Sequence, residues 1–181
     1  MRNALAVVAC AKHCGLKNQQ IQSAFDTFKG IKRRLEVRGL AGGVIVLDDF
    51  GHHPTAIRAT LSALRQKYPT QRVWAIFEPR TNTTRRRVFQ AELAGAFAEA
   101  DAVVIAQVDR LELLAPEERL DPERLMRDLR DAGKEAVYLP DADAIAAHVA
   151  QQVQGGEVVI VFSNGGFGGL HGKLLARLGR G

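Results

Sequence analysis

The period of hydrophobic positions changes along the chain. In residues 3–13 and 18–28 apolar side chains recur at helical spacing, with Ile21, Ala24, Phe25 and Phe28 on one stripe. Gly15 stops the first helix and Asn18 caps the second. From residue 34 onward, short apolar runs alternate with longer amphipathic ones. The pattern predicts strands at 34–38, 44–47, 73–77, 102–106, 136–139 and 158–162. Helices are expected at 55–67, 84–100, 122–132, 141–153 and 170–178. A run such as Val158-Val159-Ile160-Val161-Phe162 lacks polar alternation, as a strand buried on both faces does. Strands alternating with helices predict an α/β fold: Rossmann-like, a mostly parallel sheet of about six strands with helices on both faces. The two leading helices find no partner surface in this pattern. They open abruptly at Met1-Arg2-Asn3 and read as the remnant of a larger element.

Composition narrows the class. The 181 residues suit one domain plus a fragment, and 25% charged residues with a mean hydropathy of −0.09 mark an ordinary globular chain. No apolar run approaches the roughly 20 residues of a spanning helix, and no export signal opens the chain, so a cytoplasmic protein is expected. Cys10 and Cys14 complete no zinc spacing; Cys10 is expected in the core, with both thiols reduced. The net charge of +5 comes with Lys and Arg clustered at 29–38 and 80–87, which suggests an anionic partner. Aromatic residues do not interleave these runs, which argues against single-strand nucleic-acid binding.

Three loops that follow expected strands carry the chemistry. Asp48-Asp49-Phe50-Gly51-His52-His53-Pro54 offers two carboxylates and two imidazoles, able to bind a metal, hold ribose hydroxyls or orient an amine. The bland alternative is that His52 and His53 only cap the helix that begins near Pro54. Glu78-Pro79-Arg80-Thr81-Asn82-Thr83-Thr84-Arg85-Arg86-Arg87 supplies guanidinium forks for carboxylates or phosphates. Ser163-Asn164-Gly165-Gly166-Phe167-Gly168-Gly169 allows close backbone approach to a ligand. In a parallel sheet all three emerge at one edge, a site for something long, polar and anionic. The glycine loop follows the last strand and lacks the full dinucleotide fingerprint, and no GxxxxGK[ST] loop occurs.

The segment 48–54 resembles the DDYGHHP motif of the Mur ligases. Phe28-Lys29-Gly30-Ile31-Lys32-Arg33-Arg34-Leu35-Glu36 is similar to the segment where their central ATPase domain meets the C-terminal domain, and Asn3-Ala4-Leu5-Ala6 resembles the end of their HNxxNxxAA helix. The loops at 77–87 and 163–169 resemble the branch that joins a tripeptide to UDP-N-acetylmuramate in peptidoglycan recycling. The L-alanine-adding branch instead carries a His-Arg-Tyr-Thr-Arg run at the second loop.

The resemblance implies a remnant of the central ATPase domain at 1–30, an interdomain hinge at 31–43 and an acceptor-peptide-binding C-terminal domain at 44–181. It implies an ATP-dependent amide ligase joining L-Ala-γ-D-Glu-meso-diaminopimelate to UDP-N-acetylmuramate, with ATP and Mg2+ used in the full-length enzyme. This part alone is expected to be inactive, to hold no cofactor tightly and to ligate no metal. Its expected partners are the two substrates and the remaining domains, not nucleic acid and not a membrane. By motif position, Asn3, Arg34 and Asp49 are expected at the nucleotide, and His52, Arg80, Asn82, Thr83, Arg86, Ser163 and Asn164 at the acceptor peptide. His52 is the candidate base for the attacking amine. The alternatives are the L-alanine-adding branch and a non-catalytic Rossmann-like module for an anionic ligand or nucleic acid.

Overall fold

The structure, a computed structural model, describes residues 2–179. Two compact units divide between Ile31 and Lys32. The first is a helical hairpin, α1 (Arg2–His13) and α2 (Asn18–Asp26). Asn18 does not cap α2. Lys17 holds the cap position, and its N–H donates to the Gln20 side chain at 2.9 Å. Only Ile21 of the described hairpin residues is buried, while Val7, Phe25 and Phe28 stand exposed along an open apolar groove of about 440 Å3. The expectation that Cys10 packs in a core is corrected: both Cys10 and Cys14 are exposed, because this two-helix unit is too small to enclose them.

The second unit is a six-stranded sheet. In chain order it comprises β1 (Glu36–Ala41), β2 (Val44–Asp49), α3 (Pro54–Lys67), β3 (Val73–Phe77), α4 (Gln90–Ala96), β4 (Ala102–Ala106), α5 (Pro122–Asp131), β5 (Glu135–Leu139), α6 (Ala142–Gln152), β6 (Val158–Phe162) and α7 (Leu170–Leu178). The strand order is β1-β2-β6-β3-β4-β5. Only β1 is antiparallel to its neighbour. Every residue of β3, β4 and β6 is buried, as their unbroken apolar runs require. One face packs under α3, α4 and α5 through Ile57, Leu61, Leu93, Phe97, Leu125 and Leu129. The other packs under α6 and α7 through Ile145, Val149, Leu170 and Leu174.

Three differences from the sequence pattern have local causes. The first strand starts later, at Glu36, and runs through Gly39 into the turn, because Arg33 and Leu35 adopt left-handed φ values of 57° and 47°. Within residues 31–43 this strand pairs with β2. The second strand continues to Asp49, which draws both carboxylates into the sheet. The helix expected over 84–100 shortens to Gln90–Ala96. Thr81 Oγ1 accepts the Thr84 N–H at 3.0 Å and offers the backbone an alternative to helix, and Arg86 pairs with Arg119 in an isolated antiparallel bridge.

Two contacts join α7 to the β1–β2 side of the sheet. Gly42 and Gly43 turn the β1–β2 hairpin with φ of 56° and 75°, and a Cβ at Gly42 would lie 2.7 Å from the Leu178 carbonyl oxygen. On α7, His171 Nε2 lies 3.4 Å from Asp48 Oδ1. Burial holds the imidazole below its ordinary pKa; Arg38 and Arg33 push the same way, and Asp48 opposes them.

Gly42→Ala should destabilise the fold by about 1–3 kcal/mol, read as a lower urea midpoint. As pH falls, unfolded His171 takes its proton before the folded form does. Its stabilising contribution is therefore present above the ordinary histidine pKa and lost below it. Between about pH 7.5 and about pH 5 the unfolding temperature should drop more for the unaltered chain than for His171→Gln.

Candidate functional site

The strand register brings the three loops together. Asp49 pairs with Phe162, and Phe162 with Phe77, so these residues form one row across the carboxyl ends of β2, β6 and β3. The loops beginning at Phe50, Ser163 and Glu78 leave from adjacent positions. The Glu78 N–H donates to the Phe162 carbonyl at 3.0 Å, and the Ser163 N–H to the Asp49 carbonyl at 3.1 Å. After β3 the chain runs to α4 on one face, and after β6 to α7 on the other. The neighbours β3 and β6 thus flank the crevice where ligands collect in open α/β sheets.

In the first loop the two carboxylates face inward. Asp48 and Asp49 are each 2% exposed. Asp49 spends its oxygens on the N–H groups of Leu35 (3.0 Å) and Gly51 (2.7 Å), with Arg34 Nη1 at 3.9 Å. The carboxylate expected at the nucleotide thus also shapes the backbone on both sides of it. Asp48 faces Arg33 at 3.2 Å and Arg38 at 3.7 Å. The two histidines divide the proposed roles. His53 is the N-cap of α3, its Nδ1 accepting from the Thr55 N–H at 3.2 Å. His52 is half-buried, with Nδ1 3.1 Å from the Phe50 carbonyl. A carbonyl only accepts, so that contact places the ring proton on Nδ1 and leaves the Nε2 lone pair available.

The other two loops interlock. Ser163 is fully buried; its hydroxyl donates to Glu78 Oε2 at 2.5 Å and accepts the Gly165 N–H at 3.0 Å. Arg80 is exposed and lies against Gly165 so closely that a Cβ there would meet its guanidinium at 1.9 Å. Asn82 and Thr83 stand exposed beside it, and Asn164 Oδ1 is buried with no hydrogen-bond partner. Arg86 is paired with Glu118. Arg34 is 54% exposed, its guanidinium 5.6 Å from the Phe50 ring centre. Asn3 belongs to the helical hairpin, where it is exposed.

Sequence reasoning missed several residues. Arg33 Nη2 donates to the carbonyls of Ser163 (2.5 Å) and Gly165 (3.0 Å), tying the segment before β1 to the glycine loop. Next to these loops lies a cavity of about 510 Å3, lined by Glu78, Gln107, Asp109, Arg110, Asp141 and Phe167 among others. Gln107, Asp109 and Arg110 directly follow β4, the same positional signal that marked the other loops. Among the described residues, no group of three or more His, Cys, Asp or Glu could hold a metal ion, and no helix is long and apolar enough to cross a membrane.

Residues 33–165 match the family described as "Mur ligase, glutamate ligase domain". The UDP-N-acetylmuramate–L-alanyl-γ-D-glutamyl-meso-2,6-diaminoheptandioate ligase of Escherichia coli K12 is 39% identical over 99% of this chain and 37% of its own length. The UDP-N-acetylmuramate–L-alanine ligase of Geobacter sulfurreducens is 37% identical over 90% of this chain and 35% of its own. Among solved structures, a murein peptide ligase from Psychrobacter arcticus superposes with a TM-score of 0.73 at 33% identity, over 98% of this chain and 36% of that one. The chain thus spans a little over a third of the length of the relatives it matches. With a family match across most of the sheet unit and a fold shared with a solved member, the chain belongs to the Mur ligase family and carries its C-terminal domain.

Proposed function

We propose that this chain is the acceptor-side part of an ATP-dependent amide ligase that joins L-Ala-γ-D-Glu-meso-diaminopimelate to UDP-N-acetylmuramate. The observation that carries the reading is the row Asp49–Phe162–Phe77, which sets three loops round one rim. Two features favour a tripeptide over free L-alanine. The tripeptide ligase of E. coli is 39% identical over 99% of the chain, against 35% over 97% for the L-alanine ligase of Syntrophus aciditrophicus. The loop at 77–87 also lacks the His-Arg-Tyr-Thr-Arg run of the L-alanine-adding branch.

The residues divide the work by accessibility. Arg80, exposed over Gly165, takes a peptide carboxylate in its fork, with Asn82 and Thr83 adding neutral donors. Asn164, whose Oδ1 is enclosed without a hydrogen-bond partner, belongs to the acceptor rim by motif position. Ser163 and Arg86, already bonded to Glu78 and Glu118, hold the rim's shape. The far end of the peptide, which carries both an amine and carboxylates, extends into the cavity that holds Asp109, Asp141 and Arg110. The attacking amine must lose its charge, and His52 Nε2 takes that proton.

ATP supplies the activation of the muramyl carboxylate. Arg34 fits a phosphate: its guanidinium is half exposed and braced on Phe50. Asp49 supports that arrangement by fixing the Leu35 and Gly51 N–H groups. Among the described residues, no three His, Cys, Asp or Glu side chains gather to hold Mg2+. Asn3, exposed in the hairpin, is assigned to the nucleotide by motif position alone.

Calorimetry should detect the tripeptide binding to this chain, with no heat from L-alanine or from a single-stranded oligonucleotide. Arg80→Ala should raise the tripeptide Kd about tenfold, as expected for one charge-assisted contact. Binding of the oligonucleotide alone, with steep salt dependence, would overturn the reading. In the complete ligase, His52→Ala should cut kcat by about a hundredfold or more, with little change in KM for ATP. Unchanged turnover removes the base role.

A further inference from the structure

Segment 33–35 is held in an unfavourable conformation by its surroundings. Arg33 and Leu35 are non-glycine residues with φ of 57° and 47°. Such residues persist only where neighbouring groups over-determine them. Three bonds do so here. The Arg33 N–H donates to Glu36 Oε2 at 2.7 Å, the Phe50 N–H to the Arg33 carbonyl at 2.8 Å, and the Leu35 N–H to Asp49 Oδ2 at 3.0 Å. The result aims the Arg33 side chain across the sheet edge. Its Nε meets Asp48 at 3.2 Å, its Nη2 reaches the carbonyls of Ser163 and Gly165, and its guanidinium lies 5.2 Å from the Phe50 ring centre. Among the described hydrogen bonds, no other joins residues 32–35 to the glycine loop.

Gly165 is gripped on two sides: Arg33 holds its carbonyl, and Arg80 lies against its Cα. A change in segment 33–35 therefore reaches the surface that Arg80 presents. We propose that Arg33 is a positioning residue that transmits the left-handed conformation of segment 33–35 to the glycine loop, so that the acceptor rim is formed only while that segment keeps its turn. The inference rests on the acceptor reading for the identity of the ligand, but not for the coupling itself. Coupling of this kind is reciprocal: a ligand that tightens the glycine loop must also stabilise segment 33–35.

Residue-resolved hydrogen exchange on residues 1–181, without ligand, tests the coupling. Arg33→Gln should speed exchange of the Gly165 amide, which is bonded to Ser163 Oγ, by about tenfold or more, while Ile76, Val104 and Ile160 keep their rates. Arg33→Lys retains the charge beside Asp48 but loses the fork that reaches two carbonyls. It should loosen the loop equally at an unchanged unfolding temperature. An unchanged Gly165 rate in both variants, or a uniform acceleration that includes the core strands, overturns the proposal; if Arg33→Gln does not fold, Arg33→Lys decides. In a second arm the tripeptide should slow exchange at Leu35 in the unaltered chain and not in Arg33→Lys. A tripeptide that fails to bind the unaltered chain overturns the acceptor reading, while the ligand-free rates still decide the coupling.

Discussion

Two adjacent carboxylates, Asp48 and Asp49, end the second strand almost entirely out of solvent. A buried carboxylate without partners costs several kcal/mol, so the surrounding chain must supply cations and N–H groups. It does so from two directions. Segment 33–38 brings Arg33, Arg38 and the Leu35 N–H, and the loop after β2 returns the Gly51 N–H; His171 on α7 faces Asp48 Oδ1 at 3.4 Å without a hydrogen bond. The left-handed turns at Arg33 and Leu35 follow from this demand, since they carry those donors to the two carboxylates. Holding Asp48 and Asp49 thus fixes the path of the chain into the sheet, while Leu170, Leu174 and Leu178 seat its last helix.

The parallel sheet converts that local arrangement into a site. Strands aligned in register present their carboxyl ends together, and helices departing to opposite faces after β3 and β6 leave a crevice between them. Buried and exposed polar groups then take different tasks. Ser163, Asp48 and Asp49 are enclosed and hold backbone or other side chains. Arg34, Arg80, Asn82 and Thr83 face outward and remain available to ligands. The motif letters mark both groups alike; burial separates those that build the rim from those that line it.

The fold was legible because its signals are local. The apolar runs at 73–77, 102–106 and 158–162 match β3, β4 and β6 residue for residue, as continuous burial on both faces leaves little ambiguity. Errors fell where side chains compete with the regular pattern. The hydroxyls of Thr81 and Thr84 delay the fourth helix, the glycines near residue 40 blur the bounds of the hairpin strand, and Cys10 sits in a hairpin too small to bury it. At the site, the loop residues were legible from their place after strands. The same logic applied to β4 would have found Gln107, Asp109 and Arg110.

Periodicity and motif spacing alone determined the α/β class, the strands and helices, the three polar loops and the family resemblance, because each depends on residues within a few positions of one another. Tertiary structure decided which of those loop residues are accessible, that His53 caps a helix while His52 is left free, and that Arg33 joins two segments 130 residues apart. Those outcomes depend on strand register and on where buried charge finds its partners. Both are set only when distant segments pack together.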